Sequence, residues 1–116
     1  MKVHRITAVT LIIKNMERSC NFYSQIPGFK LVYGGSCNDT FTTYEIGEYI
    51  PKICLNLELS TTNNNHQRDN NERKRQHFGR IIFHIEDVDK LYSYFKSNEY
   101  ISNLISFENE PTNGSW

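Results

Sequence analysis

Residues 60–77 contain no apolar side chain, and this polar stretch constrains the fold more than any other feature of the sequence. It reads Ser-Thr-Thr-Asn-Asn-Asn-His-Gln-Arg-Asp-Asn-Asn-Glu-Arg-Lys-Arg-Gln-His. Because it has no apolar surface to bury against the entropy lost on ordering, it is predicted to be a solvated linker. The two flanking segments, residues 1–59 and 78–116, are then expected to form separate structural modules.

The first segment has a clear order of predicted elements. Alternating apolar residues predict a strand over residues 6–13. Asn15 is placed to cap a helix, because its side-chain oxygen can accept a hydrogen bond from a first-turn amide. Pro27-Gly28 stops that helix, whose apolar stripe consists of Met16, Cys20, Tyr23 and Ile26. Three further strands are predicted over residues 29–33, 41–46 and 53–59.

The second segment begins in the same way but is shorter. Residues 78–85 alternate as a strand, and Asp87 is placed to cap a helix. Asn98 suits the left-handed position at the end of that helix, whose apolar stripe is Val88, Leu91, Tyr92 and Phe95. A sixth strand is predicted to begin over residues 104–107. Two strands are missing relative to the first segment, so either the second module is truncated or the sequence is a fragment of a longer protein.

Motifs on both sides of the linker point to a known family. They are Arg18-Ser19, Phe22-Tyr23 and Gly28-Phe29, the run over residues 79–89, and the ending Asn113-Gly-Ser-Trp116. Together they resemble the glyoxalase/bleomycin-resistance/dioxygenase family, which has the vicinal-oxygen-chelate fold. The resemblance implies an α+β fold of two βαβββ modules whose mixed sheet forms a cup. The modules would be residues 1–59 and 78–116, the second lacking its last two strands, and a homodimer is expected.

Many members of this family hold Zn, Ni, Fe or Mn in the cup, and the resemblance indicates the four corresponding positions. The first is Ala8, whose methyl group cannot coordinate a metal. The second is Glu58, or Asn56 if the strand register differs by two residues. The third is Arg80, which stays protonated and offers no lone pair, and the fourth lies on an eighth strand that the sequence lacks. A single carboxylate does not hold a catalytic ion, so no metal and no other cofactor is predicted.

The predicted strand over residues 53–59 alternates, which directs its polar side chains into the cup. The expected ligand-binding residues are Thr10, Cys54, Asn56, Glu58, Arg80, Ile82 and His84. Glu58 and Arg80 either form a charge-assisted pair across the cup or point separately to solvent at its rim. Glu58 and His84 are the candidates for metal-free catalysis, His84 as a general base. A single histidine without an orienting carboxylate is, however, typical of a packed or hydrogen-bonded side chain.

Composition restricts the partners and the location. Basic and acidic residues each number 13, and the resulting net charge of zero disfavours nucleic acids and anionic membranes. No apolar run approaches the roughly 20 residues that span a bilayer. The opening residues lack a secretion signal, so a cytoplasmic location is expected. Cys20, Cys37 and Cys54 are too few and too scattered for a disulfide framework and are expected to be reduced.

Three functions remain open from the sequence. The first is a protein that binds a small molecule in the cup without a metal, as bleomycin-resistance proteins of this family do. The second is a metal-dependent lyase of the glyoxalase kind, similar to lactoylglutathione lyase, or another enzyme of this fold. The third is a truncated, non-catalytic protein that only dimerises.

Overall fold

A computed structural model describes residues 1–61, 80–107 and residue 111. The chain divides into two compact units, Met1–Thr61 and Thr62–Trp116. The first unit contains β1 (Ala8–Ile13), α1 (Met16–Tyr23), β2 (Phe29–Tyr33), β3 (Phe41–Ile46) and β4 (Ile53–Leu59). In the second unit, the described residues form α2 (Val88–Ser97) and α3 (Glu99–Ser102).

The four strands of the first unit form one mixed sheet in the order β1-β4-β3-β2. β1 runs parallel to β4, while β3 is antiparallel to both β4 and β2. A parallel pair needs a crossover connection, and here α1, β2 and β3 provide it. The βαβββ order predicted for the first module is therefore present, whereas a second βαβββ arrangement is not confirmed.

The core of the first unit lies between α1 and one face of the sheet. Met16 and Cys20 of α1 pack with Tyr44 of β3 and Leu57 of β4, and each of these four side chains is at most 4% exposed. Five partly buried side chains surround this cluster: Leu11, Ile13, Tyr23, Phe29 and Leu59. Because successive side chains of a strand point to opposite faces, this packing buries one face of the sheet, and within residues 1–61 no helix lies on the other face.

Helix α1 begins as the sequence predicts but ends earlier. The Asn15 side chain accepts a hydrogen bond of 3.0 Å from the Arg18 amide, which caps the first turn. The helix ends at Tyr23, although the predicted apolar stripe continued to Ile26. The amide of Ile26 donates to the Tyr23 carbonyl at 3.2 Å, so the chain leaves the helix through a tighter turn before Pro27.

Helix α2 of the second unit matches its prediction at the first turn. Asp87 caps it by accepting a hydrogen bond from the Lys90 amide at 2.9 Å. The prediction for Asn98 was wrong, because this residue has extended backbone (φ −92°) rather than a left-handed conformation. Its side chain instead accepts hydrogen bonds from the amides of Tyr100 and Ile101, so Asn98 begins α3.

The two predicted strands of the second unit are not observed where the structure describes them. Residues 80–85 and 104–107 do not form strands. A strand exists only where a neighbouring strand satisfies its backbone groups, and every described ladder lies within the first unit. Most of the predicted linker 60–77, Phe78, Gly79 and the ending Asn113–Trp116 lie outside the described residues.

Candidate functional site

The face of the sheet opposite α1 brings together the candidate residues of the first unit. Strand register places side chains from all four strands on this surface, hereafter the open face: Ala8, Thr10, Ile12, Lys30, Tyr33, Phe41, Thr43, Glu45, Cys54, Asn56 and Glu58. On β4, Leu55 and Leu57 are buried on the α1 side, while Glu58 is exposed on the open face. Four predicted ligand-binding residues, Thr10, Cys54, Asn56 and Glu58, therefore share one surface.

A chain of hydrogen bonds crosses the middle of the open face. The Thr43 hydroxyl donates to Oδ1 of Asn56 at 2.8 Å, and Nδ2 of Asn56 donates to the Thr10 hydroxyl at 3.3 Å. The register sets this arrangement, because Asn56 lies directly opposite Thr10 on β1 and Thr43 on β3. The amide of Asn56 is thus oriented by partners on both sides. Sequence reasoning missed Thr43, which the alternation of β3 and its antiparallel pairing with β4 would have identified.

A second row of side chains on the open face is largely apolar. Glu58 lies between Ile12 on β1 and Phe41 on β3. The Phe41 ring also contacts the Tyr33 ring edge to face, with 6.5 Å between centroids. Ile12 and Tyr33 are 63% and 64% exposed. Among the described residues, the Glu58 carboxylate has no ion pair and no hydrogen bond. Hereafter, Ile12, Tyr33, Phe41 and Glu58 are called the apolar row.

The opposite end of the open face is charged. Glu45 forms an ion pair with Lys52 at 3.6 Å, and Lys30 lies opposite Glu45 on β2. Cys54 is half-buried between Glu45 and Ala8, its register neighbours on β3 and β1. The thiol of Cys54 is free, as are those of Cys20 and Cys37.

The register separates the two metal positions that the family resemblance indicates in this unit. Ala8 lies opposite Cys54, whereas Glu58 lies opposite Ile12, four residues further along both strands. At about 3.3 Å per residue this offset is roughly 13 Å, which is too far for side chains at positions 8 and 58 to reach one ion. Asn56 is nearer to Ala8, but its amide oxygen already accepts a hydrogen bond from Thr43.

These side chains do not fit a divalent metal. A catalytic ion needs about three protein donors from nitrogen, oxygen or sulfur around one point. Within residues 1–61, 80–107 and 111, no group of three or more His, Cys, Asp or Glu side chains is placed to hold an ion. The sequence-based prediction that the chain binds no metal remains a prediction, since the fourth family position lies beyond these residues.

The remaining predicted site residues belong to the second unit. Arg80, Ile82 and His84 are exposed on the segment before α2, and Ile82 is 68% exposed. Their predicted roles in ligand binding or catalysis, and the predicted pairing of Arg80 with Glu58, stay predictions.

None of the described helices is long and apolar enough to cross a membrane.

A buried polar network supports the open face from the α1 side of the sheet. The Thr42 hydroxyl accepts hydrogen bonds from the Gly35 amide at 3.0 Å and the Cys20 thiol at 3.7 Å, and it donates to the Met16 sulfur at 3.3 Å. Thr42 is fully buried, so these partners replace the water that its hydroxyl would otherwise bind.

Tyr44 extends this network. Its hydroxyl shares a hydrogen bond of 2.8 Å with Ser24 and donates to the Cys20 carbonyl at 3.4 Å. Burial raises the pKa of Tyr44 to about 12, which the Ser24 hydrogen bond partly opposes. Burial also raises the pKa of Tyr23. Both phenols therefore stay neutral at physiological pH and act as structural groups.

Comparison with known proteins gives one match. The model of the Glyoxalase/Bleomycin resistance protein/Dioxygenase superfamily matches residues 5–116. Comparisons with curated proteins and with solved structures gave no significant match. The family match covers almost the whole sequence, including the four-stranded mixed sheet and both segments that carry the motifs. The chain therefore belongs to the glyoxalase/bleomycin resistance protein/dioxygenase superfamily.

Proposed function

We propose that this chain is a small-molecule-binding protein of its superfamily that binds its ligand on the open face without a metal. The observation that carries the proposal is the composition of that face. An oriented polar row, Thr10–Asn56–Thr43, lies beside exposed apolar side chains on the same surface. Ligand sites commonly combine apolar contact area with a few fixed polar groups, and this surface offers both.

The hydrogen-bonding capacity of the polar row favours a ligand with polar atoms. Asn56 uses one amide hydrogen toward Thr10 and one lone pair toward Thr43. An amide nitrogen has two hydrogens and an amide oxygen has two lone pairs, so one donor and one acceptor remain for a ligand. The Thr10 and Asn56 side chains are accessible enough to offer them.

The remaining predicted ligand-binding residues are part of the same proposal. Arg80, Ile82 and His84 are also proposed to bind the ligand, with Arg80 suited to an anionic group and His84 to proton transfer or hydrogen bonding. Their exposure in the described residues is compatible with ligand contact. Replacing each of them with alanine should weaken binding without moving the chemical shifts of the core.

The experiment is a ligand screen by amide chemical-shift mapping in the presence of EDTA, using a library of small amphipathic molecules. A ligand of the proposed kind should shift the signals of Thr10, Thr43 and Asn56. Asn56→Ala should weaken its binding, because the substitution removes the group that offers both a donor and an acceptor. Asn21→Ala is the matched control, since Asn21 is half-buried like Asn56 but belongs to α1, on the other side of the sheet.

The proposal fails if no molecule binds, or if bound molecules shift only residues away from the open face. A metal-dependent lyase of the glyoxalase kind is the alternative, and it makes a different prediction. Adding Ni²⁺ or Zn²⁺ with a glutathione hemithioacetal would then give turnover that Glu58→Gln abolishes. The open-face proposal predicts no metal-dependent turnover.

A homodimer is also proposed. β1 and β2 are the edges of the described sheet, and an unpaired edge presents free backbone donors and acceptors that a second chain can cover. Light scattering coupled to size-exclusion chromatography should give twice the chain mass. A monomer at all concentrations would contradict this part of the proposal, as well as the view that the protein serves only for dimerisation.

A further inference from the structure

We propose that the apolar row makes the open face selective for organic cations, that is, molecules with a protonated amine on an apolar body. The inference rests on the proposed function, because it names the ligand class of the same surface. It depends on the position of one carboxylate. Glu58 is exposed and lies between Ile12 and Phe41, with Tyr33 packed against Phe41.

The charges on the open face are distributed unevenly. At the charged end of the open face, the Glu45 carboxylate already has basic neighbours, because it pairs with Lys52 and lies opposite Lys30. Glu58 lies four residues away from Glu45 in the register of β3 and β4, or roughly 13 Å. At that distance solvent screening removes most of the influence of a charge at the Glu45 position. In the described part of the chain, Glu58 is therefore the one carboxylate of the open face without a basic partner.

The neighbours of Glu58 determine what such a carboxylate can recognise. A ligand body that covers Ile12 on one side of Glu58, or Phe41 on the other, removes apolar surface from water, which is favourable for any apolar group. The same ligand shields the carboxylate from solvent, so an ammonium group at its end interacts more strongly than it would in bulk water. The faces of Tyr33 and Phe41 are also attractive to a cation. An anionic end group placed over Glu58 would instead remove the hydration of this carboxylate, and its open-face neighbours Ile12 and Phe41 offer no compensating charge.

Three probes with one apolar body and different end groups test the inference: phenylbutylamine, phenylbutanol and phenylbutyrate. Binding is measured by amide chemical-shift titration of the full chain in EDTA. The amine is expected to bind about threefold to fivefold more tightly than the alcohol, the upper part of the range measured for exposed ion pairs. Phenylbutyrate is expected to bind most weakly. The shifts should include Ile12, Phe41 and Glu58.

Two glutamine variants distinguish a local charge effect from a general one. Glu58→Gln keeps the size and hydrogen-bonding shape of the side chain but removes its charge, and it should abolish the preference for the amine. Glu17→Gln removes an exposed carboxylate from α1, on the other side of the sheet, and should leave the preference unchanged. Because Glu58 and Glu17 are both exposed, neither substitution is expected to prevent folding.

Arg80→Ala is the third variant, because Arg80 is the predicted partner of Glu58. Amine selectivity already present in the wild type and unchanged in Arg80→Ala supports the inference. Selectivity that appears only in Arg80→Ala overturns it, since Arg80 would then neutralise Glu58 in the native protein. Equal binding of the three probes, unaffected by Glu58→Gln, overturns the inference but leaves the proposed function standing. Failure of all three probes to bind overturns the inference, whereas the proposed function fails only if no molecule of the library binds on the open face.

Discussion

Two adjacent threonines on β3 allow the role of each face of the sheet to be tested by the same chemical change. Thr42 is fully buried on the α1 side, while Thr43 lies on the open face and is half-buried. Replacing either residue with valine keeps its size and its β-branched shape and removes only the hydroxyl oxygen. Strand propensity is therefore nearly constant between the two variants.

The expected costs differ because the hydroxyls have different partners. In Thr42→Val the Gly35 amide loses its acceptor and the Cys20 thiol loses a contact inside the core. Leaving a buried donor unsatisfied should lower the free energy of unfolding by about 1–3 kcal/mol. Thr43→Val removes one hydrogen bond to Asn56 next to solvent, where water can replace the lost partner. Its cost should be about 0.5–1 kcal/mol.

Urea unfolding followed by far-ultraviolet circular dichroism measures both free energies, and the amide shift titration measures ligand binding to the folded variants. Thr42→Val is expected to be the less stable variant and to bind open-face ligands with wild-type affinity. Thr43→Val is expected to be nearly as stable as the wild type but to bind more weakly, because Asn56 is no longer oriented from the β3 side. The reverse pattern, or equal destabilisation by both substitutions, would refute the assignment of a structural and a binding face.

Two further predictions concern the first unit. Gly34→Ala should lower the free energy of unfolding more than Gly28→Ala does, by about 1 kcal/mol or more. Both glycines have positive φ, but of the two only Gly34 lies where an added Cβ would meet a backbone oxygen, that of Phe41. Urea unfolding measures both free energies, and equal destabilisation by the two substitutions would show that the Gly34 turn can relax. Tyr44 should remain protonated after ordinary tyrosines have ionised near pH 10, since its pKa is raised to about 12. The folded state then holds this proton more tightly than the unfolded state, so stability should fall as pH rises from about 10 to 12. Phenolate absorbance of the wild type and Tyr44→Phe tests this, and a Tyr44 that titrates near 10 would contradict it.

Local signals in the sequence were sufficient for much of the first unit. The alternation of β1 and β4 and the cap at Asn15 depend on residues close together in the chain, and the structure contains them as predicted. The cap at Asp87 belongs to the same class. The end of α1 was less predictable, because a continuing apolar stripe did not indicate the tighter turn that precedes Pro27.

Features that depend on distant partners were not predictable in this way. An apolar alternation over residues 78–85 gave the signal of a strand, but a strand also needs a paired neighbour, and none is described for residues 80–85. Asn98 has two side-chain uses, and the sequence alone did not show that it would cap the next helix rather than end the previous one.

In the candidate site, too, the local pattern was predictable and the pairing of distant strands was not. Alternation of β4 predicted that Asn56 and Glu58 share a face, and the structure has this alternation. The pairing of Ala8 with Cys54, and of Glu58 with Ile12, depends on the register between strands more than forty residues apart in the chain. The alternation of side chains along a single strand contains no information on how that strand is aligned with another. The separation of the two metal positions and the contribution of Thr43 therefore became visible only in the assembled sheet.

We propose that the open face binds organic molecules without holding a metal ion. The most direct test is the metal content of the purified 116-residue chain after equilibration with Ni²⁺, Zn²⁺, Fe²⁺ or Mn²⁺ and removal of free ions, measured by inductively coupled plasma mass spectrometry. Only traces of each metal per chain are expected, with no change in Glu58→Gln. A stoichiometric ion that is lost when Glu58 or Asn56 is replaced would contradict it.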